Sequence, residues 1–147
     1  MARVLHHAAL CTRDIDRALT FYRDGLGLEV FMDQEFSGDW PTLFDARGDR
    51  LRSIFLGDPA RADAGVVELV AFFDGMADGQ VAPEPSTGFF LLSFFVDDVE
   101  ATIGRLRELG VTDEARRIEV PGPSAPVQMA TVRDPDGVLV ELIGGAA

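Results

Sequence analysis

The chain has 147 residues, 47% of them hydrophobic, and a formal charge of −12 from 25 acidic and 13 basic residues. That length and apolar content suit a single folded domain with a buried core, and exclude a disordered chain. The acidity argues against a nucleic-acid partner and against anionic membrane surfaces, since both call for basic patches.

No apolar run approaches the roughly 20 residues that a membrane helix needs. The start, MARVLHHAAL, has no long apolar stretch, so no signal peptide is expected. A single cysteine, Cys11, excludes an internal disulfide and fits a reducing, cytoplasmic setting.

Residues 5–12 form a short apolar run that reads as a strand. Asp14 follows as a helix cap, with Asp16 in an acidic first turn. Ile15, Ala18, Leu19 and Tyr22 keep helical spacing, and Gly25 and Gly27 stop the helix. LEVFMDQE, RLRSIFLGD and VVELVAFF then read as three strands, separated by the turn-forming stretches SGDWP, DARGD and DPARADAG. Residues 78–88, DGQVAPEPSTG, read as a linker.

The second half repeats this order. Residues 89–96 are an apolar strand, Asp97 and Asp98 sit at a helix cap, and Val99, Thr102, Ile103 and Leu106 form the stripe before Gly110. Asp14 laid on Asp98 brings the stripes into register without a gap: Ile15 on Val99, Leu19 on Ile103, Tyr22 on Leu106. ARRIEV, PVQMATVRD and VLVELIG follow as strands, with PGPSAP between the first two as a proline-rich loop. The expected organisation is a single domain over 1–147: module one 1–77, linker 78–88 and module two 89–147.

Each module ends its last strand with the same word, VVELV around Glu68 and LVELI around Glu141. A carboxylate flanked by Val and Leu is costly if buried alone. Strand alternation offers one explanation, a glutamate on a wet face. The recurrence at equivalent positions offers another, because His7 stands in the first strand and one imidazole with two carboxylates can hold a divalent metal. By alternation, the neighbouring His6 is expected to point to the face opposite His7.

LHHAALCTRDIDRALTFYRDGLGLEV, VVELVAF, LLSFFVDDVEATIGRLRELG and VRDPDGVLVELIG, taken together and in this order, resemble the vicinal oxygen chelate superfamily. That group includes glyoxalase I, bleomycin-resistance proteins, fosfomycin-resistance enzymes, methylmalonyl-CoA epimerase and extradiol dioxygenases. The resemblance implies an α+β fold of two βαβββ modules forming a half-open barrel around a cavity. It implies metal ligands at His7, Glu68 and Glu141. The fourth ligand position, often histidine in the family, falls on Leu91, which cannot bind metal.

The resemblance also implies one divalent cation (Mn, Fe, Co, Ni, Zn or Mg), chelated by neighbouring oxygens of a small-molecule substrate. The reaction would be an isomerisation, epimerisation, lyase or dioxygenase step, with Glu68 or Glu141 moving a proton. The alternative is a metal-free protein of the same fold that binds or sequesters a small molecule. A homodimer is the expected assembly.

Arg52, Phe94, Gln128 and Trp40 are candidate substrate contacts: an anion anchor, two aromatic walls and a polar lining residue. Each also has a plain reading as a strand or core residue. Cys11 reads as a small buried hydrophobe rather than a nucleophile.

Overall fold

The structure, a computed structural model, describes residues 2–112 and 114–145. The chain divides into two compact units, residues 1–78 and 79–147.

In the first unit, β1 (His7–Cys11) leads into α1 (Ile15–Leu19). Asp14 caps this helix, its carboxylate accepting from the Arg17 amide at 3.1 Å. The helix then widens into a π-helical stretch over Thr20–Gly25. This wider winding lets two successive rings, Phe21 and Tyr22, both lie fully buried, edge to face at 4.8 Å. Gly27, at φ 80°, supplies the left-handed residue that turns the chain toward β2 (Glu29–Ser37).

Between β2 and β3 (Arg50–Gly57) the turn reading of SGDWP is corrected by a short helix, α2 (Trp40–Phe44), while DARGD after it stays outside helix and strand. Asp39 caps it and Pro41 suits its first turn, so the residues that resembled a turn start a helix instead. β4 (Val66–Phe72) completes a sheet in the order β1-β4-β3-β2, with β1 parallel to β4 and the other pairs antiparallel.

The register fixes which side chains share a face. His7, Ala9 and Cys11 lie beside Val66, Glu68 and Val70, and Phe55 lies opposite Glu68. The other face carries Leu10, Ile54, Leu56, Val67 and Leu69, all buried, and α1 packs on β4. Each such side chain removed from water contributes roughly 1.5–3 kcal/mol.

The second unit repeats the pattern. No helix or strand lies between Phe72 and Leu92. β5 (Leu92–Val96) precedes α3 (Val99–Glu108), capped by Asp98, whose carboxylate accepts from the Ala101 amide at 2.9 Å. β6 (Arg116–Val120), β7 (Val127–Arg133) and β8 (Leu139–Gly144) complete a sheet ordered β5-β8-β7-β6. Val99, Thr102, Ile103 and Leu106 are buried, as their spacing predicts, and α3 packs on β7 and β8 with Ala130, Val132, Val140 and Leu142.

The fold is therefore α+β, with two βαβββ modules. The strand expected over 89–96 starts only at Leu92, leaving Phe89 and Phe90 exposed. Cys11 is exposed too, which corrects its reading as a buried hydrophobe. Among the described residues no helix is long and apolar enough to cross a membrane.

Candidate functional site

The two glutamates are held in the same way. In the first unit, the Ser53 hydroxyl donates to Glu68 Oε1 at 2.7 Å, and His7 Nε2 lies 3.0 Å from Glu68 Oε2. In the second, the Ser93 hydroxyl donates to Glu141 Oε1 at 2.8 Å. Each carboxylate in an apolar strand is thus satisfied by a hydroxyl on the same sheet face, so burial leaves it with a partner.

His7 side-chain exposure is 37% and that of Glu68 is 16%, so the pair can be reached from solvent without being surrounded by it. Phe55 walls it, its ring centroid 5.4 Å from the His7 ring. A bulge in β2 between Val30 and Met32 places Phe31 where its ring meets Phe55 edge to face at 6.0 Å.

His6 corrects the alternation argument. β1 begins only at His7, so strand periodicity does not govern His6. Its Nδ1 lies 2.8 Å from His7 Nδ1, and its ring is 5.8 Å from Phe55. With Nε2–H of His7 donating to Glu68, His7 Nδ1 is the acceptor for the Nδ1–H of His6. A chain of polar groups results: His6, His7, Glu68, Ser53.

The donor set fits a divalent cation in part. Two ligand atoms on bonds of roughly 2.1 Å at a right angle stand about 3.0 Å apart. His7 Nε2 and Glu68 Oε2 have that separation. His6 then takes the place usually held by the outer partner that orients a ligating imidazole. Among the described residues no third His, Cys, Asp or Glu joins this pair in a group able to hold a metal.

Leu91 occupies the position expected of it. His7 pairs with Val66, two residues before Glu68. Leu92 pairs with Val140, which sets Leu91 two residues before Glu141 in the same register.

The other candidates do not share a face with the carboxylates. Arg52 pairs with Glu35 and Ala71 in register, on the opposite side of the sheet from Glu68. There it binds Asp33 with two hydrogen bonds, 2.9 and 2.8 Å. The Arg52 hydrogen bond holds the Asp33 carboxyl below the usual range, against a smaller opposing effect of burial. Phe94 lies beside Leu142, on the helix-covered side, while Phe95 alternates onto the Glu141 face and is exposed. Gln128 is likewise on the helix side, donating to Glu119. Trp40 stacks on Phe44 at 5.7 Å within α2, away from strand alternation altogether.

Four further residues emerge from the second sheet. Thr131 lies beside Glu141, and Arg116 beside Thr131. Ile118 and Met129 complete the wall of an open pocket of about 180 Å³ that also includes Glu141, Thr131 and Arg116. No spacing in one sequence marks Ser53, Ser93 or Arg116, because each earns its place only across strands.

Comparison with known proteins agrees with this architecture. The profile of the Glyoxalase/Bleomycin resistance protein/Dioxygenase superfamily matches residues 4–142. The lactoylglutathione lyase-like protein terB of Aspergillus terreus is 37% identical over 145 residues, covering 95% of this chain and 74% of the relative. A probable lactoylglutathione lyase of Vibrio cholerae is 30% identical, covering 96% and 89%. Among solved structures, a glyoxalase family protein from Bacillus cereus shares the fold at a TM-score of 0.77 and 20% identity, over 100% of this chain and 97% of that one.

Proposed function

The chain belongs to the Glyoxalase/Bleomycin resistance protein/Dioxygenase superfamily, and from that membership we propose that it is a divalent-metal-dependent enzyme of the lyase or isomerase type. Its substrate is a small molecule with neighbouring oxygens. The observation that carries this reading is the His7–Glu68 pair, an imidazole and a carboxylate brought within 3.0 Å on one sheet face, both of them ligand types for a divalent cation. The lactoylglutathione lyase-like relatives favour lyase chemistry over dioxygenation.

In this reading His7 and Glu68 hold the metal. The metal supplies Lewis acidity toward the substrate oxygens as negative charge develops on them. His7 must present Nε2 without its proton, which shifts the proton to Nδ1 and makes His6 the acceptor. Ser53 fixes the Glu68 carboxylate, both of whose oxygens already have partners. Glu141 has only Oε1 engaged among the described residues, so its Oε2 is the better placed to accept or return a proton. Exposed Phe89, Phe90 and Phe95 support a homodimer that covers apolar surface.

A second reading, a metal-free binding protein, is favoured by one observation: leucine stands where a fourth donor belongs, at residue 91. Elemental analysis separates the two. The purified protein is incubated with excess Mn, Fe(II), Ni or Zn, desalted and analysed alongside His7→Ala. About one metal per chain, lost in the variant, supports the enzyme. No metal under any of these conditions sinks it in favour of the binder.

A further inference from the structure

The two sheets place their glutamates at equivalent positions but surround them differently. Across the first sheet the row through Glu68 runs Ala9, Glu68, Phe55, Met32. Across the second the equivalent row runs Ser93, Glu141, Thr131, Arg116. An apolar, aromatic arm in one unit corresponds to a polar, cationic arm in the other.

We propose that Arg116 anchors an anion in the pocket it shares with Glu141, and that the ligand of this pocket therefore carries a small oxyanionic head, a carboxylate or phosphonate. This deepens the enzyme reading and rests on it for the role of Glu141.

Two observations support the assignment. First, Arg116 and Glu141 line the same pocket. Second, they stand two strands apart, roughly 10 Å between backbone positions at about 4.8 Å per strand. Among the described residues no ion pair joins them and Arg116 has no other polar partner, whereas the next arginine, Arg117, turns to the opposite face and is bound to Glu100 by two hydrogen bonds. Arg116 is exposed on the edge strand β6 and so is open to a ligand, with Thr131 between it and Glu141 in the row. The net charge of −12 repels anions at long range, so binding one here depends on this local cation. A guanidinium is suited to it because its planar fork meets two oxygens at once.

The open pocket, of about 180 Å³, has room for a small head group. It falls below the roughly 300 Å³ where drug-sized ligand sites begin.

The test is direct binding by calorimetry, with metal-loaded and chelator-treated protein. The probes are glycolate, hydroxymethylphosphonate and neutral glycolamide. Either anion is expected to bind at least tenfold more tightly than glycolamide, and the preferred anion identifies the head group. Arg116→Ala is expected to remove at least tenfold of that affinity, and Arg116→Lys to recover part of it. Metal content in both variants is expected to match the parent.

Equal binding of glycolate, hydroxymethylphosphonate and glycolamide, no binding of any probe, or anion binding unchanged in Arg116→Ala would overturn the anchor. Anion binding that depends on Arg116 in protein that takes up no metal would keep the anchor and remove the metal enzyme. Metal uptake together with anion binding that does not depend on Arg116 would do the reverse.

Discussion

Ser53 shows how one hydroxyl settles the fate of a charge. Its 2.7 Å hydrogen bond is the only support of Glu68 Oε1 among the described residues, and Ser53 is itself buried. Ser53→Ala is expected to destabilise the fold by about 1–2 kcal/mol in urea unfolding, because a part-buried carboxylate oxygen loses its donor. If Glu68 holds metal, affinity is expected to fall roughly 10–100-fold in a metal titration, as for other outer-partner losses. Unchanged stability would show that solvent replaces Ser53 at this oxygen. The shared face of His7 and Glu68, and the equivalent place of Glu141 in the second sheet, are legible from sequence because a repeated word marks both glutamates and an apolar strand frames the histidine. Arg52, Phe94 and Gln128 lie one step of strand phase away from the glutamate faces. Side chains alternate with a period of two, so a residue chosen without the partner-strand register falls on either face. Ser53 and Ser93 were invisible for the same reason: their partners lie on neighbouring strands.

At the scale of elements, the turn before β8 fixes the register that brings Glu141 to its row. The buried Asp134 accepts from the amides of Asp136 and Val138 at 2.9 and 2.8 Å, and Gly137 sits at φ 89°. A Cβ at Gly137 would also stand 2.5 Å from the side chain of Val81. Gly137→Ala is expected to cost about 1–3 kcal/mol, from left-handed strain and this clash together, and to lower the melting temperature by several degrees. The Arg52–Asp33 pair makes a different prediction. Asp33 titrates lower in the folded state, so its contribution is present above the ordinary carboxylate range and is lost as pH falls through the depressed value. Both side chains are about a third exposed, which limits the effect to about 0.5 kcal/mol. Arg52→Ala is expected to show that deficit in denaturant unfolding at pH 7 and none near pH 2; an equal deficit at both would assign the loss to packing. Caps made the long elements readable, since Asp14 and Asp98 both accept the amides they were expected to accept. α2 was missed because Asp, Trp and Pro beside glycine satisfy the rules of a turn and of a capped first helical turn equally well.

On the scale of the molecule, the duplication was the most legible feature of all. Residues 14–22 and 98–106 align without a gap, and both become capped helices on four-stranded sheets of equivalent order. What the repeat could not disclose was how far the copies have diverged in chemistry. His7 faces Leu91 across the internal alignment, and Phe55 and Met32 face Thr131 and Arg116. Those differences lie on the faces that carry Glu68 and Glu141, while the helix-covered faces remain alike in their Leu, Ile and Val. Cys11 belongs to the Glu68 face. It is the one thiol in the chain, it is exposed, and it alternates into the set that holds His7 and Ala9, one step along from Glu68. The unaltered sequence thus already contains a unique attachment point for a thiol-reactive fluorophore or spin label beside the His7–Glu68 pair. Occupancy there can be followed optically or magnetically without engineering a handle into the protein.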